Sequence, residues 1–152
     1  MRQSNQEPKE RPEFEEAVVQ IDRVTRVVKG GRRLRFRALV VVGDRKGRVG
    51  AAAAKGSEVQ SAVQKAVIAA KKNLVTVPIT ENGSIPHEIM EKYGAAQVFL
   101  KPAAAGTSII AGGPVRSVVT LAGIENILSK SIGSNNKLSV VMATLNALKR
   151  FK

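Results

Sequence analysis

The segment with the clearest chemical character is VVKGGRRLRFR at residues 27–37, in which four of eleven positions are arginine. Each guanidinium group presents a planar fork of N–H donors that matches the oxygens of a phosphate. Ten of the 25 Lys and Arg residues lie between Arg23 and Arg48, and the only acids close to them are Asp22 and Asp44. Because a solvated charged surface normally mixes both signs, this pattern favours binding to nucleic acid.

The residues predicted to contact RNA are the cations of this cluster, the glycine pair beside them, and two cations further along the chain. They are Arg23, Arg26, Lys29, Gly30, Gly31, Arg32, Arg33, Arg35, Arg37, Arg45, Lys46, Arg48, Lys55 and Arg116. The glycine pair suits a plain hairpin turn and equally suits a thin backbone that approaches RNA closely, so both interpretations stay open.

The composition also indicates a polyanionic partner. The formal net charge is +13, and a domain so charged repels itself unless it meets a polyanion, with nucleic acid ahead of an anionic membrane surface. The absence of cysteine and the single histidine, His87, argue against disulfides and against a structural zinc site. No apolar run approaches the roughly 20 residues of a membrane span. The polar N-terminus resembles neither a secretory signal nor a transit peptide, so we expect a cytoplasmic protein without cofactor, metal or membrane partner.

Two strands must position the arginines. Near-alternating apolar residues predict a strand at residues 17–28, and period-two spacing predicts a second strand in RRLRFRALVVVG. In the second strand one face is expected to carry Arg33, Arg35 and Arg37, and the other face to enter a core. The expected core face consists of Leu34, Phe36, Ala38, Val40 and Val42.

A third strand and a helix complete this half of the chain. GDRKG at residues 43–47 predicts a turn, and residues 48–55 predict a strand although their AAAA run favours helix by propensity. Ser57 and Gln60 have the spacing of a capping box, which predicts the start of a helix that runs to about Asn73.

The second half carries less charge and predicts a further set of strands and helices. The expected elements are a strand at 74–79, a hairpin at Asn82-Gly83, a strand at 96–101, a helix beginning with Pro114, a strand within 125–133, and a C-terminal helix with Leu138, Val141, Met142, Leu145 and Leu148 as its apolar stripe. We therefore expect an α+β protein with a flexible tail at residues 1–13, one domain at 14–75 and a second at 76–152.

Two features resemble catalytic sites without meeting their requirements. GTSIIAGGPVR at residues 106–116 is glycine-rich and precedes a helix, as in a phosphate cradle, but it has neither the Walker nor the G-x-G-x-x-G spacing. His87 lacks the second histidine of a metalloprotease and is interpreted as structural. Because aromatic residues are only 3% of the chain, base stacking is not expected, which leaves recognition of the backbone and shape of folded RNA.

Several motifs in order resemble protein five of the small ribosomal subunit, the S-five family. They are VVKGGRRLRF, GDRKGRVG, SIPHEI, LKPAAAGTSIIAGGPVR, LAGI and the closing NALK helix. The resemblance runs from about Phe14 to Lys152. It implies an N-terminal domain similar to double-stranded-RNA-binding domains, with a three-stranded sheet plus a helix, and a C-terminal two-layer α/β domain with a left-handed crossover. The chain departs from the family at GAAAAKG (50–56), where the family usually has a larger residue, at Gln60, where it usually has proline, and at GTSIIAGG, where it usually has GTGVIAGG.

The resemblance also implies a function. Members of the family are structural, non-enzymatic components of the small subunit that bind ribosomal RNA, support assembly, and contribute to decoding accuracy and the messenger RNA entry path. Small-subunit proteins four and eight are the implied protein neighbours, no small-molecule substrate is implied, and the implied location is the ribosome in the cytoplasm. The alternatives are a free double-stranded-RNA-binding regulator and, less favoured, a nucleotide-utilising enzyme with a similar C-terminal fold.

Overall fold

The computed structural model of the protein describes residues 13–151, so the tail expected at residues 1–13 lies, apart from Glu13, outside the described residues. The described residues form eight strands, arranged in two sheets, and three helices. They are β1 (Glu15–Val28), β2 (Gly31–Gly43), β3 (Arg48–Gly56), α1 (Val59–Lys72), β4 (Val75–Thr76), β5 (Ile89–Tyr93), β6 (Ala96–Pro102), β7 (Ile109–Ile110), α2 (Gly113–Ala122), β8 (Ile127–Gly133) and α3 (Lys137–Lys149).

The first sheet is antiparallel in the order β1-β2-β3-β4 and confirms the three strands expected in this half. β1 and β2 form a long hairpin closed by Lys29 and Gly30, where Gly30 has a φ of +86° that glycine adopts without strain. The alanine run of β3 is extended because each of its residues pairs with β2, so tertiary pairing overrides helical propensity. The strand expected at residues 74–79 is only the two-residue β4, which pairs with the start of β3.

Helix α1 covers one face of this sheet with small side chains. Ala62, Ala66 and Ala70 are fully buried, and they pack against the alternate β2 residues Ala38, Val40 and Val42. The predicted capping box is wrong, because the N-cap is Glu58, one residue after Ser57, and no side-chain cap hydrogen bond forms there. A capping box requires the serine at the N-cap itself.

The second sheet has the order β5-β6-β8-β7, with β7 and β8 parallel and its other pairs antiparallel. Helix α2 connects the parallel pair, and the hand of this crossover stays a prediction. The hairpin predicted at Asn82-Gly83 is wrong, because the turn there joins strands of different sheets; the hairpin is instead β5–β6, with Tyr93 paired to Ala96. β5 and β7 were not expected, and Pro114 is the second residue of α2 rather than the first.

Helices α2 and α3 form a layer between the two sheets. On one side they contact Leu39, Val41 and Val49 of the first sheet, and on the other side Val98 and Leu100 of the second, within one continuous core. The four layers are α1, the first sheet, the helical layer and the second sheet. This position explains why burial in α3 is wider than the predicted stripe: residues buried in α3 are Val140, Val141, Ala143, Thr144, Leu145, Ala147 and Leu148.

The backbone of the β2–β3 turn packs directly against the backbone at the C-terminal end of α2. The N–H groups of Arg45 and Gly47 donate to the carbonyls of Leu121 and Ala122, each at 2.9 Å. A Cβ atom on Gly123 would lie 2.2 Å from the carbonyl oxygen of Arg45. Glycine therefore allows the two halves of the chain to meet at this point. The fold is α+β as predicted, an N-terminal antiparallel sheet with a helix followed by a mixed sheet with helices.

Candidate nucleic-acid interface

The outer half of the β1–β2 hairpin places four cations on one face of the sheet, and β3 adds a fifth. Residues directly opposite in the register share a face, and the pairs are Arg26 with Arg33, Val24 with Arg35, Asp22 with Arg37, and Arg37 with Lys55. We call this set the basic face: Arg26, Arg33, Arg35, Arg37 and Lys55. A cavity of about 250 Å³ opens between its side chains, with Val24 and Thr25 in its lining.

The basic face remains open because the hairpin extends beyond the helical layer. Further along β2 the same face continues as Leu39 and Val41, which are buried against α2 and α3. Arg33 and Arg35 lie beyond that cover and are exposed. Arg26 stands directly opposite Arg33, and like charges in this position destabilise a sheet. A bound polyanion would relieve that repulsion.

Asp22 forms an ion pair with Arg37, one of the arginines predicted to bind RNA. Its Oδ2 atom accepts hydrogen bonds from Nη2 of Arg37 at 2.7 Å and from Nε of Arg37 at 3.2 Å. The hydrogen bond from Arg37 and a second from Gln20 lower the pKa of the Asp22 carboxyl. The fork of Arg37 is thus already occupied by a carboxylate, whereas Arg26, Arg33, Arg35 and Lys55 form no ion pair with the described residues.

The cations of the β2–β3 turn lie at the opposite end of the strands from the hairpin tip. Arg48 bonds Asp44 at 2.6 Å and Glu13 at 3.1 Å, and its guanidinium carbon lies 5.0 Å from the centroid of the Phe14 ring. Arg45 pairs with Glu15 at 2.8 Å. Because these contacts join the start of β1 to the turn, the structure separates Arg45, Lys46 and Arg48 from the basic face.

Asp44 organises that turn with a nearly buried carboxylate, of which 3% is exposed. It accepts hydrogen bonds from the N–H of Lys46 at 2.8 Å, from the N–H of Arg48 at 3.0 Å and from Nε of Arg48. Burial opposes ionisation here, but the hydrogen bonds from Lys46 and Arg48 outweigh it and lower the pKa of Asp44. The ionised form is therefore the one the fold stabilises.

Replacing Asp44 with alanine is expected to lower the free energy of unfolding by about 2 kcal/mol at neutral pH, since three donors lose a charged acceptor. The folded-state pKa is below the unfolded value of about 3.9, so this stabilisation is complete above that value and is lost as the pH falls through the folded-state pKa. Urea unfolding of both proteins should show a constant difference from about pH 7 to about pH 5, and the difference should shrink as the pH falls below about 4. The control Glu15→Ala removes an exposed ion pair and should cost less than about 1 kcal/mol; equal losses from both variants would contradict the prediction.

The remaining predicted contacts lie on three other surfaces. Lys29, Gly30 and Gly31 form the hairpin tip, and Gly31 needs no special conformation there. Arg23 and Arg32 lie on the face opposite the basic face, since they pair with Phe36 and Val27.

Arg116 lies on α2, and its Nη2 atom donates to the carbonyl of Ile109 at 2.9 Å.

One expectation about the hairpin is wrong. Leu34 was expected to face a core, but its side chain is 45% exposed because α1 does not reach that far along the hairpin. Phe36, the next residue on that face, is half-buried against the α1 cluster. The pairing of Asp22 with Arg37 could not be predicted from the sequence pattern, because only the strand register reveals it.

Comparisons with known proteins identify both halves of the chain. The family model described as ribosomal protein S5, N-terminal domain, matches residues 14–78, and the one described as ribosomal protein S5, C-terminal domain, matches residues 91–152. The chain is 55% identical over 139 residues to small ribosomal subunit protein uS5c of Spinacia oleracea. That alignment covers 91% of this chain and 45% of the relative, so the chain spans about half the length of the relative.

Proposed function

The chain belongs to the ribosomal protein S5 family, and from this premise we propose that it is a structural, non-enzymatic component of the small ribosomal subunit that binds ribosomal RNA through the basic face. In this proposal it acts on the ribosome in the cytoplasm and supports subunit assembly. The proposal includes small-subunit proteins four and eight as neighbours, a position near the messenger RNA entry path, and a contribution to decoding accuracy. The division into domains at 14–75 and 76–152 is part of the same proposal.

The observation that carries the RNA-binding proposal is the set of unpaired cations on the basic face. Among the described residues, Arg26, Arg33, Arg35 and Lys55 converge on one face of a hairpin that extends past its own core. Cations that repel one another in the free protein release counterions from RNA when they contact phosphates. The charges that repel one another in the free protein thus contribute to the free energy of binding RNA.

The hairpin shape suits recognition of folded RNA by its backbone. A two-stranded hairpin is thin, and no helix covers the basic face of its outer half among the described residues. At the tip a Cβ added to Gly30 or Gly31 would meet nothing within 4 Å, so the backbone there is open to a neighbouring surface. Phosphate and 2′-hydroxyl contacts from such a surface read RNA shape rather than sequence.

The fourteen predicted contacts do not serve equally in this proposal. The unpaired cations of the basic face, the tip residue Lys29, and Arg23 and Arg32 on the opposite face are proposed to reach RNA directly. Arg37, Arg45, Arg48 and Arg116 bond acceptors of the protein itself, as described above. We propose that these four mainly hold the fold and contact RNA at most with donors left over.

Sedimentation of the tagged chain from a cell lysate tests this proposal. The chain is expected to migrate with small ribosomal subunits through a sucrose gradient and to remain with them after a high-salt wash, because an assembled component is held by many phosphate contacts at once. Ultraviolet crosslinking of that fraction should join hairpin residues to ribosomal RNA. Migration as a free monomer, or with RNA other than that of the small subunit, would overturn the proposal in favour of a free RNA-binding regulator.

A further inference from the structure

The second sheet has a face that no described helix covers. Helices α2 and α3 pack on the face that carries Val98 and Leu100. The residues that alternate with these two on β6, together with their partners on the neighbouring strands, therefore lie on the opposite face of the sheet. We call this set the outer face: Met90, Lys92, Gln97, Phe99, Lys101, Ile110, Leu128, Lys130 and Ile132. Large apolar side chains are exposed there, with Met90 at 51%, Ile110 at 53% and Ile132 at 44%.

Apolar and cationic side chains are interleaved on the outer face. Across the sheet, Lys101 stands beside Leu128, which stands beside Ile110. In the next row Met90 stands beside Phe99, which stands beside Lys130.

The third row places Lys92 beside Gln97, which stands beside Ile132. Each row therefore holds one lysine, and the nine residues of the face include no Asp or Glu.

The charge and chemistry of the outer face select one kind of occupant. A second copy of the chain would bring lysines against lysines, because a two-fold interface pairs a surface with itself. RNA would pair with the lysines but would leave four aliphatic side chains without a base-stacking partner, since Phe99 is the one aromatic residue of the face. A protein partner can meet both kinds of side chain at once, because protein–protein interfaces combine apolar contacts with polar and charged pairs.

We propose that the outer face docks a protein partner whose apolar side chains cover Met90, Phe99 and Ile132 and whose carboxylates pair with Lys101 and Lys130. The lysine stems add to the apolar contact, while their ammonium groups at the ends of those stems pair with the carboxylates. Nothing in this inference depends on RNA binding by the basic face, which lies on the first sheet.

Photocrosslinking in intact cells tests the inference and does not assume that the chain is part of a ribosomal subunit. The full chain carries the photoreactive residue p-benzoylphenylalanine in place of Met90 or of Ile132, and in place of Ile68 on α1 as a control for an exposed apolar site elsewhere. We expect protease-sensitive adducts from both outer-face positions, and mass spectrometry should place the crosslink in a peptide where apolar residues neighbour Asp or Glu. The variant Lys130→Glu should reduce the adduct yield about fivefold or more, because it sets like charges against each other.

The matched control is Lys65→Glu, which makes the same charge change on an exposed position of α1 and should leave the adduct yield unchanged. Replacing the partner carboxylate by lysine should restore the adduct of the Lys130→Glu variant. Ribonuclease-sensitive adducts, adducts between two copies of the chain, or equal losses from the two lysine variants would each overturn the inference. Absence of adducts at Met90 and Ile132, with circular dichroism showing that the variants are folded, would overturn it as well.

Discussion

Replacing Gly123 with alanine is expected to lower the free energy of unfolding by about 4 kcal/mol or more, a large part of the roughly 5–15 kcal/mol typical of a whole protein. The new Cβ atom would lie 2.2 Å from the carbonyl oxygen and 2.5 Å from the carbonyl carbon of Arg45. These are backbone atoms of a turn held by two hydrogen bonds to α2, so they cannot move aside cheaply. Gly123 also has a φ of +89°, a conformation that alanine adopts only with strain.

Three other glycines separate the two causes. Gly43→Ala meets the carbonyl oxygen of Leu121 at 2.2 Å without a positive φ and should cost about 3 kcal/mol from the clash alone. Gly30→Ala has a positive φ in open space and should cost about 1 kcal/mol from strain alone. Gly113→Ala has neither problem and should be neutral or slightly stabilising, since alanine favours the helix.

Urea unfolding of the four variants measures this series. The expected order of stability loss is Gly123, then Gly43, then Gly30, then Gly113. If Gly123→Ala does not accumulate as folded protein, Gly43→Ala still tests the close backbone contact. Losses from Gly43→Ala no larger than those from Gly113→Ala would show that the turn and α2 do not meet as described.

The triple variant Arg26→Ala, Arg33→Ala and Arg35→Ala is expected to weaken binding to small-subunit ribosomal RNA about tenfold or more at moderate salt. It removes three adjacent cations of the basic face that have no ion-pair partner in residues 13–151. The slope of log K against log salt should become shallower by about 0.7 to 0.9 for each phosphate that the variant no longer neutralises, or about 2 to 3 in total. Filter binding over a salt series measures both quantities.

The matched control for charge is the triple variant Lys92→Ala, Lys101→Ala and Lys130→Ala. It removes the same three positive charges from the outer face, which we propose meets protein. Its salt slope should equal that of the unchanged protein. An equal decrease in slope from the two triple variants would mean that total charge, rather than the basic face, governs binding.

Much of the first sheet could be predicted because its periodicity is local. Alternate residues of β2, from Phe36 to Val42, pack on α1 as their spacing indicated. The sequence could not show that the opposite face also becomes buried at Leu39 and Val41, because the cover consists of α2 and α3, which lie far along the chain. For the same reason the burial of α3 is wider than its apolar stripe, since a helix between two sheets buries small residues such as Ala143 and Ala147 as well.

The sequence indicates which arginines belong to the candidate site, but it does not show how they are arranged on the surface. Charge density alone selected the arginines of the hairpin. It could not separate Arg33 and Arg35 from Arg37, because all three share one face and the difference is the register that sets Asp22 opposite Arg37. Nor could it show that Arg48 bonds Glu13 across 35 residues of chain, since such pairing depends on how the strands return on themselves.

The helical layer between the sheets sets an order of events during synthesis. The chain emerges from its own translating ribosome N-terminus first, so β1, β2 and β3 are available well before α2 and α3. Until both α2 and α3 have emerged, the face with Leu39, Val41 and Val49 lacks its full cover and is open to aggregation or to a chaperone. A nascent chain from which β3 has emerged and α2 has not would therefore hold a paired sheet with one solvent-exposed apolar face.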